Sequence, residues 1–430
     1  MIDREAWIQE FENRKVLIWG YGMEGKSSYR FIRSLLPNQV LTITDKNKDN
    51  IKDTENTILL NEEETDFNSY DLIIKAPGIV VPSGIDKTKI TGQAPLFLKH
   101  YRNQVVGITG TKGKSTTSSL IAKVLSKKYE TFLVGNIGKA CFDVIDELNS
   151  DSLIVFEISC HQLEYSIYSP HVAIYINLFD EHLDHYGTFE NYGRAKDQIF
   201  LHQKADDILI MGEAIQDRAN NHLKKLIGKD IYASKNVLHV EDKQIEIKDC
   251  ALKGEHNYHN LAVAYAVSKL YDITDDEFLE AIKEFIPLKH RLEDIGTVNS
   301  VTYINDSIST IGETCIKALE AYPNTSVVLV GGMDRGIHYD KLENALYNYK
   351  NVQVIFMYAT GKRIHKEMKE KGLNREGLYE VEDLDEAVAL AKDIVKPNTV
   401  CLLSPAASSY DHFKNFEARG DYFRKLVLEK

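Results

Sequence analysis

The sequence predicts an α/β protein built from three parallel-sheet units, and three observations carry that prediction. Short β-branched runs alternate with helical patterns along the 430 residues. A complete G-x-G-x-x-G, with glycines at 20, 22 and 25, follows the apolar run KVLIW. A second glycine-rich turn, in GITGTKGKSTT at 107–117, follows another apolar run and opens a helix. Domains commonly hold about 100 to 200 residues, so three cores are the natural division of this length.

The elements follow in order. Within residues 1–92, KVLIW and VLTIT read as strands around the helix SYRFIRSLL, and DLIIKAPG as a further strand running into a turn. This is the βαβ rhythm of a Rossmann-like unit. The stretch NKDNIKDTENTILLNEEETD reads as polar surface without periodicity. Residues 93–288 hold QVVGITG, the helix TTSSLIAKVLSKKY, the strands SLIVFEIS and HVAIYINL, and a long helix in GEHNYHNLAVAYAVSKLY. In FIPLKHRLE, Pro287 breaks the helical pattern and marks a linker. Residues 289–430 repeat the α/β alternation with SVTYIND, SVVLVGG, VQVIFMY and TVCLLSP, a second Rossmann-like unit.

Composition narrows the function classes. Sixty-four acidic against 52 basic residues give a net charge of −12, which repels nucleic acid, and no long Lys/Arg run offsets it. No apolar stretch approaches the ~20 residues needed to span a bilayer, and the N-terminus carries acids rather than a signal core, so a cytoplasmic protein is expected. The five cysteines, at 141, 160, 250, 315 and 401, never form C-x-x-C and indicate neither a disulfide framework nor a zinc cluster.

In the first loop Gly20 makes the turn, Gly22 lets backbone approach a diphosphate, and Gly25 permits close helix packing. Asp45 stands 20 residues after Gly25, where a dehydrogenase holds a ribose, so this loop alone favours NAD and an oxidoreductase. The central loop argues otherwise. Its operative glycine is Gly110, because Gly107 lies six residues before Gly113 rather than five. Backbone N–H groups from Gly110 through Thr111, Lys112 and Gly113 would converge on phosphate oxygens at a helix N-terminus. Lys114 would reach the β/γ-phosphates, and Ser115 or Thr116 would offer a hydroxyl to Mg²⁺. A hydride-transfer enzyme has no use for ATP. Two nucleotide-type loops point instead to a ligase or kinase acting on a nucleotide-linked substrate.

Glu157 ends a strand at the ligand-binding edge of the predicted sheet, and His182, Asp184 and His185 follow the next strand at the same edge. Carboxylate and imidazole near a phosphate loop suit a Mg²⁺ shell, although imidazole is an uncommon Mg²⁺ ligand. Lys196, with Arg194 nearby, reads as a solvated helix lysine.

Taken together, GTKGKST, GNIG at 135–138, EISCHQLE at 157–164, NLFDEHLDHYGTFENYGRAK at 177–196, GEHNYHN at 254–260, HRLE at 290–293, INDS at 304–307, GGMDRG at 331–336 and LLSPAASSYDHFKNFEARGDYF at 402–423 resemble the Mur ligases. The matches run in order through all three units. The resemblance implies an ATP-dependent ligase that adds glutamate, D-glutamate foremost, to UDP-N-acetylmuramoyl-L-alanine in peptidoglycan synthesis. The route is an acyl phosphate, with ADP and phosphate released, in a monomeric enzyme. It assigns Lys114, Glu157, His182 and Lys196 to catalysis and Ser115, Glu157, His182 and Lys196 to metal, Lys196 as a carbamate formed with CO₂. It assigns Asn257 and Asn260 to the adenine side, Arg291 to ATP and Asp306 to its ribose. Gly20, Tyr21, Gly22, Met23, Asp45, Pro77, Gly78 and Asn136 would face the uridine-nucleotide substrate. Thr310, Arg335, Ser409 and Phe416 would hold the incoming amino acid, Arg335 by bidentate bonding to carboxylate.

One position departs from the pattern. Members that add D-glutamate usually carry a lysine directly after INDS, where this chain has Ile308. An aliphatic side chain cannot donate to a carboxylate, which leaves L-glutamate or another acidic amino acid open as the added residue.

Overall fold

Five short strands early in the chain form a wholly parallel sheet in the order β3-β2-β1-β4-β5: β1 (Val16–Trp19), β2 (Leu41–Thr44), β3 (Thr57–Leu60), β4 (Leu72–Lys75) and β5 (Ile90–Thr91). All four residues of β1 are buried, and alternation sends them to two cores. Val16 and Ile18 pack with Trp7, Phe31 and Ile74, whereas Leu17 and Trp19 pack with Ile73 and Ile90. The computed structural model describes residues 3–46, 48, 51–52, 54–179, 181–219, 224–234, 236–240, 243–248, 250, 252 and 255–429.

The second sheet has nine strands: β6 (Val105–Thr109), β7 (Thr131–Gly135), β8 (Leu153–Glu157), β9 (Val172–Tyr175), β10 (Ile208–Gly212), β11 (Lys224–Ile227), β12 (Ile231–Ser234), β13 (Val237–Val240) and β14 (Lys243–Glu246). Their order is β14-β13-β12-β11-β10-β9-β6-β8-β7, parallel from β7 through β12 and antiparallel beyond. Strand β6 lies between β8 and β9, so the chain reverses its direction of winding beside it. Ligands of open α/β sheets bind at such a reversal, outside the carboxyl ends of the strands.

Both sheets belong to one compact unit, made of Met1–Cys250 with His256–Phe285. Aromatic packing joins them: Trp7 lies 4.9 Å from Phe31 and 5.1 Å from Phe142, ring centre to ring centre. The Asp143 carboxylate accepts from Ser27 Oγ at 2.8 Å and from the Arg30 guanidinium at 2.7 Å.

The other unit, Ala251–Glu255 with Ile286–Lys430, holds the third sheet. Its strands are β15 (Glu293–Val298), β16 (Val301–Asn305), β17 (Thr325–Val330), β18 (Gln353–Phe356), β19 (Leu378–Glu380) and β20 (Val400–Leu403), in the order β15-β16-β20-β17-β18-β19. Only the edge strand β15 pairs antiparallel. Both faces are covered: Val328 and Val330 enter one core, Val327 and Leu329 the other.

Three mostly parallel sheets match the predicted fold class. The stretch read as polar surface after Asp45 is corrected in part, because it contains β3, a half-buried edge strand within a charged segment. Among the described residues no helix is long and apolar enough to cross a membrane.

Candidate functional site

The phosphate-type loop lies at the carboxyl end of β6, and the helix Lys114–Leu125 begins directly after it. Gly113 caps that helix with φ +84°, where a Cβ would come within 2.9 Å of Asn260 Oδ1, so only glycine closes this turn without strain. Asn260 is itself fixed by its neighbours. Its Oδ1 accepts from Thr117 Oγ1 at 3.0 Å, and its amide nitrogen donates to Asn257 Oδ1 at 3.0 Å. The two asparagines expected at the adenine side thus form one network with the loop helix. Ser115 is half-buried and Thr116 buried.

Two lysines converge on this loop. Lys114 Nζ donates to the carbonyls of Gly110 and Thr111, each at 2.9 Å. Lys196 Nζ donates to the Gly110 carbonyl at 2.8 Å and lies 4.8 Å from the centre of the Tyr192 ring. The reading of Lys196 as a solvated lysine is corrected: it is 1% exposed. Burial brings its pKa down to about 7, the nearby Lys114 ammonium adding to the effect, and burial also lowers Lys114. The sequence did carry a sign of this. Tyr192, Lys196, Ile199 and Phe200 fall at i, i+4, i+7 and i+8 of the helix Phe189–Leu201, and all four are buried.

Glu157 ends β8, in register with Ile108 of β6, and is completely buried. Asn136, in the turn after β7, donates to Glu157 Oε1 at 3.1 Å, while Oε2 is buried with no hydrogen-bond partner among the described residues. A buried carboxylate oxygen without a donor is costly, and a hard divalent cation satisfies it. Mg²⁺ therefore fits this carboxylate. Of the three residues expected in the next loop, His182 is exposed with φ +56° and its ring centre lies 5.9 Å from that of Tyr192. The side chain of Asp184 lies outside the described residues. His185 joins a different group: its Nε2 lies 3.2 Å from Glu164 Oε2.

Asn177, which sequence reasoning missed, braces the loop. Its Oδ1 accepts from the backbone N–H groups of Thr111 (3.1 Å) and Lys112 (2.9 Å), and its amide returns a bond to the Lys112 carbonyl at 3.1 Å. Lys112 also pairs with Glu181 at 2.6 Å. The only sign in sequence was a polar residue just beyond β9.

The first glycine loop has the expected packing. A Cβ on Gly25 would come within 2.0 Å of the Gly20 carbonyl oxygen, so the helix Met23–Leu35 sits directly on the turn. Gly22, the cap of that helix, has no described residue within 4 Å of its would-be Cβ, and Met23 beside it is 60% exposed. Asp45 Oδ2 accepts the Tyr21 backbone N–H at 2.7 Å, so this carboxylate braces the loop. Pro77 is half-buried and Gly78 exposed in the turn after β4.

In the other unit, Asp306 follows β16 and is 5% exposed. Ser404 Oγ donates to one of its oxygens at 2.9 Å and the Leu292 N–H to the other at 3.2 Å. Burial pushes its pKa up to about 7. Arg291, beside Leu292, is half-buried, and its charge lowers the Asp306 pKa against that effect. Exposed Arg335 donates to the Thr310 carbonyl at 2.9 Å. Ser409 is 3% exposed, and the Phe416 carbonyl accepts from Ser307 Oγ at 2.8 Å. Sequence reasoning missed Arg419, which is fully buried. It donates to the carbonyls of Ser307 (2.8 Å), Ala407 (3.0 Å) and Ser408 (3.2 Å), joining the loops that carry Asp306 and Ser409.

Comparison with known proteins bears on this geometry. Residues 108–268 match the Mur ligase middle domain. Over 440 residues the chain is 31% identical to the UDP-N-acetylmuramoylalanine--D-glutamate ligase of Oenococcus oeni, covering 98% of both chains. It is likewise 31% identical over 451 residues to the ligase of that name from Clostridioides difficile, covering 97% of this chain and 99% of the relative. Among solved structures, UDP-N-acetylmuramate-alanine ligase MurC from Thermotoga maritima superposes with a TM-score of 0.60 at 20% identity, over 96% of this chain and 99% of that one. MurF from Acinetobacter baumannii superposes with 0.62 at 15% identity, over 99% and 93%. These structural likenesses establish the fold. The sequence relatives match nearly end to end at 31% identity, and on that ground the chain belongs to the Mur ligase family.

Proposed function

We propose that the protein joins D-glutamate to UDP-N-acetylmuramoyl-L-alanine with hydrolysis of ATP to ADP and phosphate, in peptidoglycan synthesis in the cytoplasm. The observation that carries the reading is the meeting of Lys114 and Lys196 on the Gly110 carbonyl, at the head of a loop shaped for phosphate. Its support from outside the chain is the name shared by relatives that match over nearly its whole length.

The chemistry needs two steps. A carboxylate oxygen of the alanyl substrate attacks the γ-phosphorus of ATP, the bond to the β–γ bridging oxygen breaks, and ADP leaves an acyl phosphate. The amino nitrogen of glutamate then attacks the acyl carbon, phosphate departs with the bonding pair, and the nitrogen loses its proton as the amide forms. Both steps concentrate negative charge on phosphoryl oxygens, which fixed cations stabilise. Lys114 serves that role, with the glycine backbone of Gly110 and Gly113, Ser115 and Thr116 around the phosphates; the Thr111 and Lys112 N–H groups, expected to face phosphate, are taken up by Asn177, which holds the loop in shape. In this reading Ser115 and Glu157 would hold Mg²⁺, and His182 and the carbamylated Lys196 would serve a further metal position; when bound, Mg²⁺ would neutralise phosphate charge. With a pKa of about 7, Lys196 supplies a neutral amine at physiological pH. That amine adds to the carbon of CO₂ and releases one proton, giving a carbamate able to face a cation.

Residues 1–92 bind the uridine nucleotide in this reading, through Gly20, Tyr21, Gly22, Met23, Asp45, Pro77 and Gly78, with Asn136 nearer the alanyl carboxylate. Residues 93–288 bind ATP, aided by Asn257 and Asn260. Residues 289–430 bind the amino acid through Thr310, Arg335, Ser409 and Phe416, and contribute Arg291 and Asp306 to ATP. Phosphate release from ATP with UDP-N-acetylmuramoyl-L-alanine, measured with D-glutamate, L-glutamate or no amino acid, tests the proposal. Turnover with D-glutamate alone supports it. Turnover with L-glutamate alone redirects the specificity toward the alternative that Ile308 leaves open, and no amino-acid-dependent turnover refutes the ligase reading.

A further inference from the structure

Beside the phosphate loop, in the same unit, a second group of ligating side chains has no part in the chemistry above. The short helix Cys160–Leu163, just after β8, carries His161, and Glu164 caps its end. The helix Leu183–Tyr186 carries His185. One ligand atom from each of His161, Glu164 and His185 lies within 4.8 Å of the other two. His185 Nε2 and Glu164 Oε2 are 3.2 Å apart, and the His161 and His185 ring centres 4.5 Å. Metal–donor bonds of about 2.0–2.1 Å put neighbouring donors of a tetrahedral shell about 3.3 Å apart, so the Glu164–His185 edge already has the spacing of a coordinated pair.

We propose that His161, Glu164 and His185 form a binding site for a borderline divalent transition ion such as Zn²⁺, separate from the cation that Glu157 would hold. The donor set decides the class. Two imidazoles and one carboxylate suit zinc and its neighbours, whereas Mg²⁺ prefers an all-oxygen shell. Three protein ligands leave the fourth position open. Glu164 and His185 line a cavity of about 330 Å³ with Tyr186, Asn191 and Arg194, room for water or an anion at that position. The hydroxyl of Tyr186 lies 3.1 Å from His161 Nδ1, the kind of outer contact that fixes a ligand ring in orientation. The cations Lys87 and Arg194 also line this cavity and oppose a bound ion, so affinity comes from the three donors rather than from the surrounding field. A bound ion ties the turn after β8 to the helix that follows His182. The inference stands whether or not the ligase reading does, because its measurement is metal binding itself.

The same His161 also lies with Cys160 and His182 in a second group of three with ligand atoms within 4.8 Å of one another. The His161 ring lies nearer to that of His185 than to that of His182, 4.5 against 4.9 Å between centres, which favours the glutamate set, and the experiment separates the two. Metal-free full-length protein is titrated with Co²⁺, followed by its visible d–d absorption and by thermal unfolding, then competed with Zn²⁺; the Co²⁺ titration is repeated for Glu164→Gln, His185→Ala and Cys160→Ser. The expected result is one equivalent of Co²⁺ displaced by Zn²⁺, a raised unfolding temperature, and affinity weakened about tenfold or more in Glu164→Gln and His185→Ala but not in Cys160→Ser. Metal-free unfolding temperatures equal to wild type show that the variants fold, and Glu164→Gln suffices should His185→Ala fail to do so. Absence of stoichiometric Co²⁺ binding overturns the proposal. So does loss of binding in Cys160→Ser, with a sulfur-to-cobalt charge-transfer band in wild type, while Glu164→Gln binds normally.

Discussion

Asn136 holds one oxygen of Glu157 at 3.1 Å and leaves the other buried without a donor among the described residues. A buried acceptor left unsatisfied costs roughly 1–3 kcal/mol, so the fold carries this carboxylate at some expense to its stability. Function and stability should therefore respond to Glu157→Gln in opposite senses. Removing the charge is expected to leave the thermal midpoint unchanged or higher, while amino-acid-dependent phosphate release falls by about 10²–10³-fold. Calorimetry and a phosphate-release assay on the same preparation check both halves. A variant that loses stability in step with activity would mean that the carboxylate is structural.

Lys196 reaches the Gly110 carbonyl from a buried position, and its amine titrates near neutral pH. If CO₂ converts it to a carbamate, Lys196→Ala loses a carboxylate-like group from a space of matching size. Activity should drop at least about a hundredfold and recover in part with a short carboxylic acid such as acetate. A ¹³CO₂-derived carbamate carbon should be visible by NMR in wild type and missing from the variant. Wild-type rates in the variant without acetate would remove the carbamate from the mechanism.

How far the sequence revealed these features depended on whether local pattern or packing fixed each one. Continuous apolar runs such as VLIW and TSVVLV became buried parallel strands because a sheet covered on both faces has no polar side to display. Strand β3 escaped notice because TILL lies at a sheet edge, half-buried, and its flanks supply charge rather than alternation. Strands β12 to β14 escaped for a like reason, an antiparallel extension with polar residues on its outer side. The glycines of both loops were legible because tight turns and close helix approach admit few other residues. The burial of Lys196 was legible only from its helical face, and the bracing by Asn177 not at all. A side-chain amide that bonds backbone 65 residues away leaves no periodic trace.

Asn260 links Gly113, Thr117 and Asn257 around the phosphate-type loop. In Asn260→Ala the Thr117 hydroxyl and the Asn257 side-chain oxygen both lose a buried partner. Each such loss costs about 1–3 kcal/mol where water cannot replace it. Urea unfolding should register a destabilisation of this order, and the KM for ATP should rise because the loop has lost its support. Unchanged stability with a raised KM would restrict Asn260 to contacting nucleotide.

Asp306 offers a test by pH. Burial raises its carboxyl in the folded chain to about 7, above the ordinary value of 3.8. Between those values the folded state binds more protons than the unfolded one, so stability declines as pH rises through that window and levels off above it. Below it both states are protonated and the difference vanishes. At about 1.4 kcal/mol for each pH unit of displacement, wild type should lose about 2–3 kcal/mol between pH 5 and pH 8 through this one group. Asp306→Asn removes the titration and keeps one acceptor oxygen for the Leu292 N–H, while its amide nitrogen faces the Ser404 hydroxyl, which can turn to accept. Its stability relative to wild type should therefore grow from pH 5 to pH 8, as measured by urea unfolding at both pH values. Parallel pH dependence in the two proteins would mean that Asp306 is already ionised at pH 5.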